Sequence, residues 1–197
     1  MLLMMALYFA VLLLPELFFP SAAVWVQMLA MAGFLRLLTL KRPVWLGLTR
    51  RMTARGIVLT VLTALAVFFV STFFVAPIWS FVFVRSAEAY AGTVNAMMRS
   101  PLPGFVQVCV IAPIAEEVFF RGYVLPNVRV RHGKAAALVV TTALFSMLHF
   151  NLYQMASVAL VGVALGALYL RTGTVWYPIL FHFLYNLISF LLLLMMN

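Results

Sequence analysis

The sequence predicts an all-α fold, a polytopic transmembrane helical bundle of about seven spans. Of its 197 residues, 66% are hydrophobic and only 9% are charged, and the mean hydropathy is +1.15. Apolar runs of about 18 residues or more recur along the chain, and each is long enough to cross a hydrocarbon layer of about 30 Å as a helix. So much apolar sequence predicts that lipid, rather than water, surrounds most of the protein.

Seven apolar segments are the predicted spans, and they lie at residues 2–19, 22–40, 57–84, 103–125, 135–150, 154–170 and 174–196. The first basic residue is Arg36, so the opening stretch lacks the positively charged start of a cleaved signal peptide and is expected to be retained. The polar stretch 85–100 is expected to be a loop on the outer side or an interfacial turn of helix. Residues 1–100 are poor in polar groups, whereas 101–197 hold every histidine.

The distribution of charge predicts the orientation in the membrane. The net charge is +9, and most basic residues fall in the stretches 36–55 and 129–134 and at Arg171. If spans alternate, all three places lie on one side, which the positive-inside rule identifies as cytoplasmic. This predicts a cytoplasmic amino terminus in the inner membrane. Anionic lipid headgroups explain the basicity, so membrane lipids are expected partners and nucleic acid is not.

Two adjacent acids, Glu116 and Glu117, lie in the middle of an apolar segment, although the chain has only four acidic residues. An ionisable group at such a depth is costly and predicts a functional site. Arg121 is four residues beyond Glu117 and shares its helix face, so a structural ion pair would account for these two residues. It would not account for Glu116. Pro113 lacks an N–H and is expected to free the carbonyl of Cys109 and bend the helix.

The three histidines are unequally placed. His132 lies in a basic loop and is expected to be an ordinary solvated side chain. His149 lies near the end of the fifth predicted span, one turn after Phe145. His182 and Asn186 are four residues apart in the last span and therefore share a helix face. Two histidines, an amide and two carboxylates on three spans predict one shared polar site.

The order of these patterns resembles the CAAX prenyl endopeptidase and bacteriocin-processing family of glutamic intramembrane proteases. The resemblance covers about residues 103–195, and its motifs are Glu-Glu-x-x-x-Arg (Glu116, Glu117, Arg121), Phe-x-x-x-His (Phe145, His149) and His-x-x-x-Asn (His182, Asn186). No motif residue is substituted. Residues 101–197 are thus expected to form the catalytic helical core, and 1–100 to supply further transmembrane helices with a basic cytoplasmic loop.

The resemblance implies hydrolysis of a peptide bond in a membrane-associated peptide or protein. Glu116 and His149 would activate a water molecule, while His182 and Asn186 would stabilise the oxyanion. The second acid and the arginine of the first motif would orient the site and balance its charge. The phenylalanine of the second motif would pack on the histidine face. No cofactor is expected from this chemistry.

The residues leave four alternatives open. Glu116, His149 and His182 are ligand types that could hold zinc with a water molecule as fourth ligand. Cys109 could serve as a nucleophile, although a buried free cysteine is usually a small apolar residue. A proton-coupled transporter also places acids and histidines at mid-membrane. A non-catalytic scaffold or immunity protein of the same fold would bind partner helices without cutting them.

Overall fold

The computed structural model describes residues 6–8, 10–11, 26, 29–30, 33–34, 36–37, 40 and 47–196. Within this part the chain is helical with short turns and contains no strand, so the all-α prediction is confirmed. Most of the first two predicted spans, 2–19 and 22–40, lies outside the described residues.

Five helices follow residue 53, and their bounds are α1 Ala54–Val82, α2 Val84–Met98, α3 Pro101–Met147, α4 Leu152–Thr172 and α5 Trp176–Met196. All of these except α2 are long and apolar enough to cross a membrane. The chain is therefore a multi-pass membrane protein. The four long helices do not confirm the predicted count of about seven spans, which stays a prediction for the whole chain.

The predicted spans 103–125 and 135–150 are joined in one long helix, α3. Gly133 interrupts it with φ 81° and ψ 177°, a conformation that glycine adopts without steric cost. The break separates a first arm, 101–132, from a second arm, 134–147. The two predicted spans correspond roughly to these arms. The basic loop expected between them is a single non-helical residue, Gly133.

The stretch 85–100, expected to be a loop or an interfacial turn of helix, is helical as far as Met98 and forms α2, so the loop alternative was wrong. Four residues of α2 are alanine, the strongest helix former, and most of its polar side chains are exposed on the helix surface. Two contacts hold α2 against the start of α4. Asn151 donates from Nδ2 to the Ser86 carbonyl over 2.8 Å, and the rings of Tyr90 and Tyr153 lie 5.6 Å apart.

Three π-helical segments interrupt α1 and the first arm of α3, and each ends two residues before a proline. Their bounds are Ser71–Val75, Val106–Ile111 and Phe120–Val124, and the prolines are Pro77, Pro113 and Pro126. A proline inside a helix lacks an N–H and clashes with the carbonyl four residues earlier. Widening the preceding turn to i→i+5 hydrogen bonds accommodates that clash, and such bulges are common at functional sites.

The turn before α5 is fixed by the segment 47–53. Gly47 packs so closely on Gly173 that a Cβ at position 47 would lie 2.3 Å from the Gly173 carbonyl oxygen. Trp176 donates from Nε1 to the Leu48 carbonyl over 3.0 Å, and the Thr53 backbone N–H donates to the Tyr177 hydroxyl over 2.9 Å. These contacts hold the first turn of α5, the helix that carries His182.

Candidate active site

The centre of the candidate site is the carboxylate of Glu117, which is fully buried. Arg121 donates from Nη1 to Glu117 Oε1 over 2.9 Å, as their four-residue spacing on α3 predicts. His182, from α5, places Nδ1 3.0 Å from the same oxygen. A carboxylate oxygen can only accept, so the His182 proton lies on Nδ1. This network joins α3 to α5 inside the bundle.

Arg121 is also fully buried, and two further contacts hold its guanidinium. Nη2 donates to the Gly162 carbonyl on α4 over 3.0 Å. The guanidinium carbon lies 4.5 Å from the centroid of the Phe145 ring, which is a cation–π distance. Glu117 and Arg121 thus form a structural ion pair that connects three helices. Removing one partner of such a buried pair strongly destabilises the fold, because the other charge is left buried and unpaired.

Phe145 lies between the two motif histidines. Its ring makes edge contacts with His149 at 5.4 Å and with His182 at 5.8 Å. A third edge contact, at 5.8 Å, is to Phe120 on the first arm of α3. The ring is almost fully buried, so it sets the separation and tilt of the two imidazoles.

Glu116 and His149 are less buried than the Glu117–Arg121 ion pair. Both are only partly buried, whereas Glu117 is fully enclosed. The His149 imidazole interacts electrostatically with Glu116 and with His182. Its Nδ1 lies 3.2 Å from the Phe145 carbonyl, which accepts a proton from that nitrogen and leaves Nε2 as the ring's acceptor. Glu116 and His149 are therefore the accessible acid and the accessible imidazole among the candidate site residues.

Asn186 donates from Nδ2 to the Val108 carbonyl on α3 over 2.8 Å. The π-helical turn explains why this carbonyl needs a partner. The Ala112 N–H bonds back to Gln107, and the next residue, Pro113, has no N–H to offer. With i→i+5 bonding, the missing N–H of Pro113 leaves the Val108 carbonyl without its helical donor, and Asn186 supplies one. The sequence expected the free carbonyl one residue later, at Cys109.

Two residues that the sequence did not single out contact this site. The Gly162 carbonyl accepts a hydrogen bond from Arg121, and a Cβ at this position would lie 3.0 Å from Thr142 Cγ2 and 3.2 Å from Phe145 Cδ1. Tyr8, near the amino terminus, is fully buried and stacks on Phe119. No local signal in the sequence marks either role, since both depend on contacts between distant segments.

The described residues contain no group of three or more His, Cys, Asp or Glu side chains arranged to hold a metal ion. Glu116, His149 and His182 do not form the three-ligand set that the zinc alternative requires. His182 directs Nδ1 to Glu117, and His149 directs Nδ1 to its own helix. Each ring keeps Nε2 as the nitrogen that a metal ion could bind. His132 is exposed at the basic turn, outside the site.

Fold and site together define a multi-pass helical membrane protein with a buried Glu–Arg–His network. Residues 98–188 match the family model described as type II CAAX prenyl endopeptidase Rce1-like. The family resemblance inferred from the motifs is thus confirmed over this segment, which contains all six candidate site residues.

A curated relative gives a second, weaker comparison. The chain is 26% identical over 133 residues to a Bacillus subtilis (strain 168) protein named "Putative membrane peptidase YdiL". The match covers 65% of this chain and 54% of that protein, so the chain spans about half the length of the relative. No solved structure matches the chain at a significant level.

Proposed function

We propose that this protein is an intramembrane endopeptidase that hydrolyses a peptide bond in a membrane-associated peptide or protein. The observation that supports the proposal is that the two acids differ in burial and in ion pairing. Glu117 is enclosed and paired with Arg121, whereas Glu116 and His149 are both partly accessible. Packing alone would account for the buried Glu117–Arg121 pair, but not for a second, partly accessible carboxylate. The family match over residues 98–188 supports the same reaction class.

In the proposed reaction, Glu116 with His149 takes a proton from a water molecule as its oxygen attacks the scissile carbonyl carbon. The carbonyl becomes an oxyanion, and the C–N bond then breaks as the proton passes to the departing nitrogen. General-base assistance of this kind is typically worth about 10²–10⁴ in rate. Glu116 is available for this role because the hydrogen bonds of Arg121 go to Glu117 and to the Gly162 carbonyl.

The proposed oxyanion donors are His182 and Asn186. His182 already donates from Nδ1 to Glu117, so donation from Nε2 as well would make the ring an imidazolium whose charge Glu117 balances. Asn186 uses one amide hydrogen on Val108 and retains the second for the substrate. A single donor of this kind typically contributes about 10²–10³ in rate.

We further propose that the protein lies in the inner membrane with its amino terminus in the cytoplasm. The exposed basic residues at the start of α1, at the Gly133 turn and at the end of α4 support this orientation. The substrate is proposed to be a peptide or protein that reaches the site from within or beside the bilayer. Membrane lipids are the other proposed partners.

The test compares membranes that contain the wild-type protein, Glu116→Gln or Glu88→Gln. Glu88 is exposed on α2, away from the site, so its variant is the matched control for loss of one carboxylate. We expect uncut precursors to accumulate only with Glu116→Gln, as measured by mass spectrometry of new peptide termini. Identical terminus profiles in all three membranes would contradict the proposal and favour a scaffold that binds without cutting.

A further inference from the structure

An apolar groove lies where the start of α1 packs beside α3 and α5. Its volume is about 440 Å³, within the range of about 300–1,000 Å³ that is typical of small-molecule sites. Met52 and Ile57 line it from the side of α1, Pro113 from α3, and Trp176 and Phe183 from α5. The last two residues are about 10 Å apart along the helix axis. The groove therefore begins beside the basic segment that precedes α1 and runs from there into the apolar part of the bundle.

The lining of the groove narrows the choice of occupant. Its exposed surface is wholly apolar. An extended peptide would bury backbone N–H and C=O groups there without partners, which is costly. A hydrocarbon chain has no such groups and can fill a narrow groove through van der Waals contacts alone, the main attraction between apolar groups inside a membrane. The lining therefore favours an acyl chain over a peptide segment.

The groove opens beside positive charges that the chain does not balance. Arg51 directly precedes Met52, and Arg55 lies in the first turn of α1. Both arginines are exposed, and within the described part of the chain neither forms an ion pair. The sequence from 17 to 87 contains no acidic residue. Arginine lays its stem along apolar surface while its guanidinium stays in the polar layer, where it is well suited to bind phosphate.

Trp176 lies between the apolar lining and this basic segment. Its indole lines the groove and is exposed, and Nε1 donates to the Leu48 carbonyl over 3.0 Å, which fixes the orientation of the ring. Tryptophan is enriched at the level where acyl chains meet headgroups. The apolar groove, the interfacial indole and the two arginines thus follow the order of acyl chain, glycerol and phosphate in a phospholipid.

We propose that this groove binds one anionic phospholipid from the leaflet on the basic side of the protein. An acyl chain lies between α3 and α5, and the phosphate is bound by Arg51 and Arg55. These two helices are the ones that the contact between His182 and Glu117 joins, so the lipid packs beside the helix pair that holds the candidate site together. The inference deepens the proposed contact with membrane lipids and does not depend on peptide cleavage.

The first test is photo-crosslinking of the purified full chain in phosphatidylcholine nanodiscs. The probes are phosphatidylglycerol with a diazirine in one acyl chain and phosphatidylcholine with the same chains, each at low mole fraction. Mass spectrometry maps the labelled residues. We expect phosphatidylglycerol to label 109–114 and 176–183, and phosphatidylcholine to label them far less. Equal labelling by the two lipids would show ordinary contact with bulk lipid and would overturn the proposal.

Charge variants test the arginines. Each basic residue near a membrane surface contributes about fivefold to the affinity for anionic lipid, so Arg51→Gln/Arg55→Gln should raise the mole fraction of phosphatidylglycerol that gives half-maximal labelling at least about tenfold. Arg85→Gln/Arg99→Gln removes two exposed arginines near the ends of α2 and is the matched control, which should leave that mole fraction unchanged. Equal shifts in both variants, or none in either, would overturn the assignment of the phosphate site.

A bulky side chain tests the groove itself. Val110 lines the groove and is 38% exposed, whereas Val70 is 41% exposed on α1 outside it. Val110→Trp should abolish labelling at 176–183, and Val70→Trp should not. Labelling that persists in Val110→Trp, or its absence from the wild-type groove, would overturn the proposal, and absence would point to a peptide or a second copy of the chain as occupant. No readout involves cleavage, so the lipid site and the proposed endopeptidase activity can fail independently.

Discussion

His182 and Glu117 meet between α5 and α3, with the imidazole Nδ1 3.0 Å from Oε1, although 65 positions separate them in the chain. The same oxygen receives Arg121 at 2.9 Å. One carboxylate therefore fixes both the cation of its own helix and the imidazole of another. This shared oxygen explains why the site depends on the exact packing of helices that are distant in sequence.

Loss of one partner of the Glu117–Arg121 ion pair should destabilise the protein more than loss of both partners. Arg121→Leu leaves the Glu117 charge buried without its counterion, so we expect a loss of about 3–5 kcal/mol. The double variant Arg121→Leu/Glu117→Leu should lose less than the sum of the two single variants. Unfolding in detergent, followed by tryptophan fluorescence, measures these losses. If the double variant lost the sum of the two single losses, the ion pair would not be the source of this stability.

The hydrogen bond from Asn186 to the Val108 carbonyl should stabilise the protein much more when residue 113 is proline than when it is alanine. Asn186→Leu leaves the Val108 carbonyl without a donor, which costs about 1–3 kcal/mol. In a Pro113→Ala background the helix regains an N–H at position 113, so the same Asn186→Leu change should cost much less. The same unfolding assay measures both backgrounds. Equal losses in the two would show that the missing N–H is not the reason for this hydrogen bond.

Gly162 should tolerate a methyl group less well than Gly166, one turn further along α4. A Cβ at 162 meets Thr142 Cγ2 and the Phe145 ring, whereas a Cβ at 166 first meets Leu138 Cδ1, the end of a flexible side chain. Overpacking of the first kind costs about 1–3 kcal/mol. We expect Gly162→Ala, and not Gly166→Ala, to reduce both stability and cleavage.

A second change provides the control for the Gly162 variant. Thr142→Ser removes the Cγ2 atom that the new methyl group would strike, so it should partly restore Gly162→Ala. Thr142→Val keeps a methyl group at that place and should not restore it. Rescue by both changes, or by neither, would contradict the proposed clash.

Cleavage should survive removal of metal ions. The proposed reaction assigns water activation to Glu116 and His149, and the described residues include no group of three or more His, Cys, Asp or Glu side chains arranged to hold a metal ion. We expect the purified protein to keep its activity after incubation with 1,10-phenanthroline and to contain far less than one zinc ion per chain by elemental analysis. A zinc protease treated in parallel is the control. Loss of activity that added zinc restores would instead support the metal-dependent alternative.

Single cysteines should report opposite sides of the membrane at the two ends of the bundle. Lys134 lies at the basic turn of α3 and Glu88 lies on α2, and both are exposed. With Cys109 replaced by alanine, a membrane-impermeant maleimide applied to intact cells should label Glu88→Cys and spare Lys134→Cys. Labelling of Lys134→Cys alone would reverse the proposed orientation. Broken cells, in which both should react, provide the control.

The sequence predicted those features that depend on local spacing. The apolar runs that became α1, α4 and α5 are long enough to recognise without any partner, and Glu117 and Arg121 pair because they are four residues apart. The helical α2 was missed because polar residues predict exposure, and an exposed segment can be a loop or a surface helix.

Features that depend on distant contacts could not be predicted in this way. Proline marked the position of a bend, but not the π-helical turn before it or the Val108 carbonyl that Asn186 contacts. The contacts of Phe145 with Phe120 and Arg121 depend on how both arms of α3 pack around Gly133. Tyr8 packs on Phe119 and Phe120, and neither forms a local motif with it.

The prolines that follow the π-helical segments carry a consequence for comparing this chain with its relatives. Each i→i+5 turn accommodates one residue more than an α-helical turn of the same length, so a relative without the bulge needs one residue fewer there. Single-residue gaps at Val106–Ile111 or Phe120–Val124 in an alignment would then mark a real change of helix type. Closing such a gap would rotate Glu116 and Glu117 away from the residues they meet, even though every motif letter still matched.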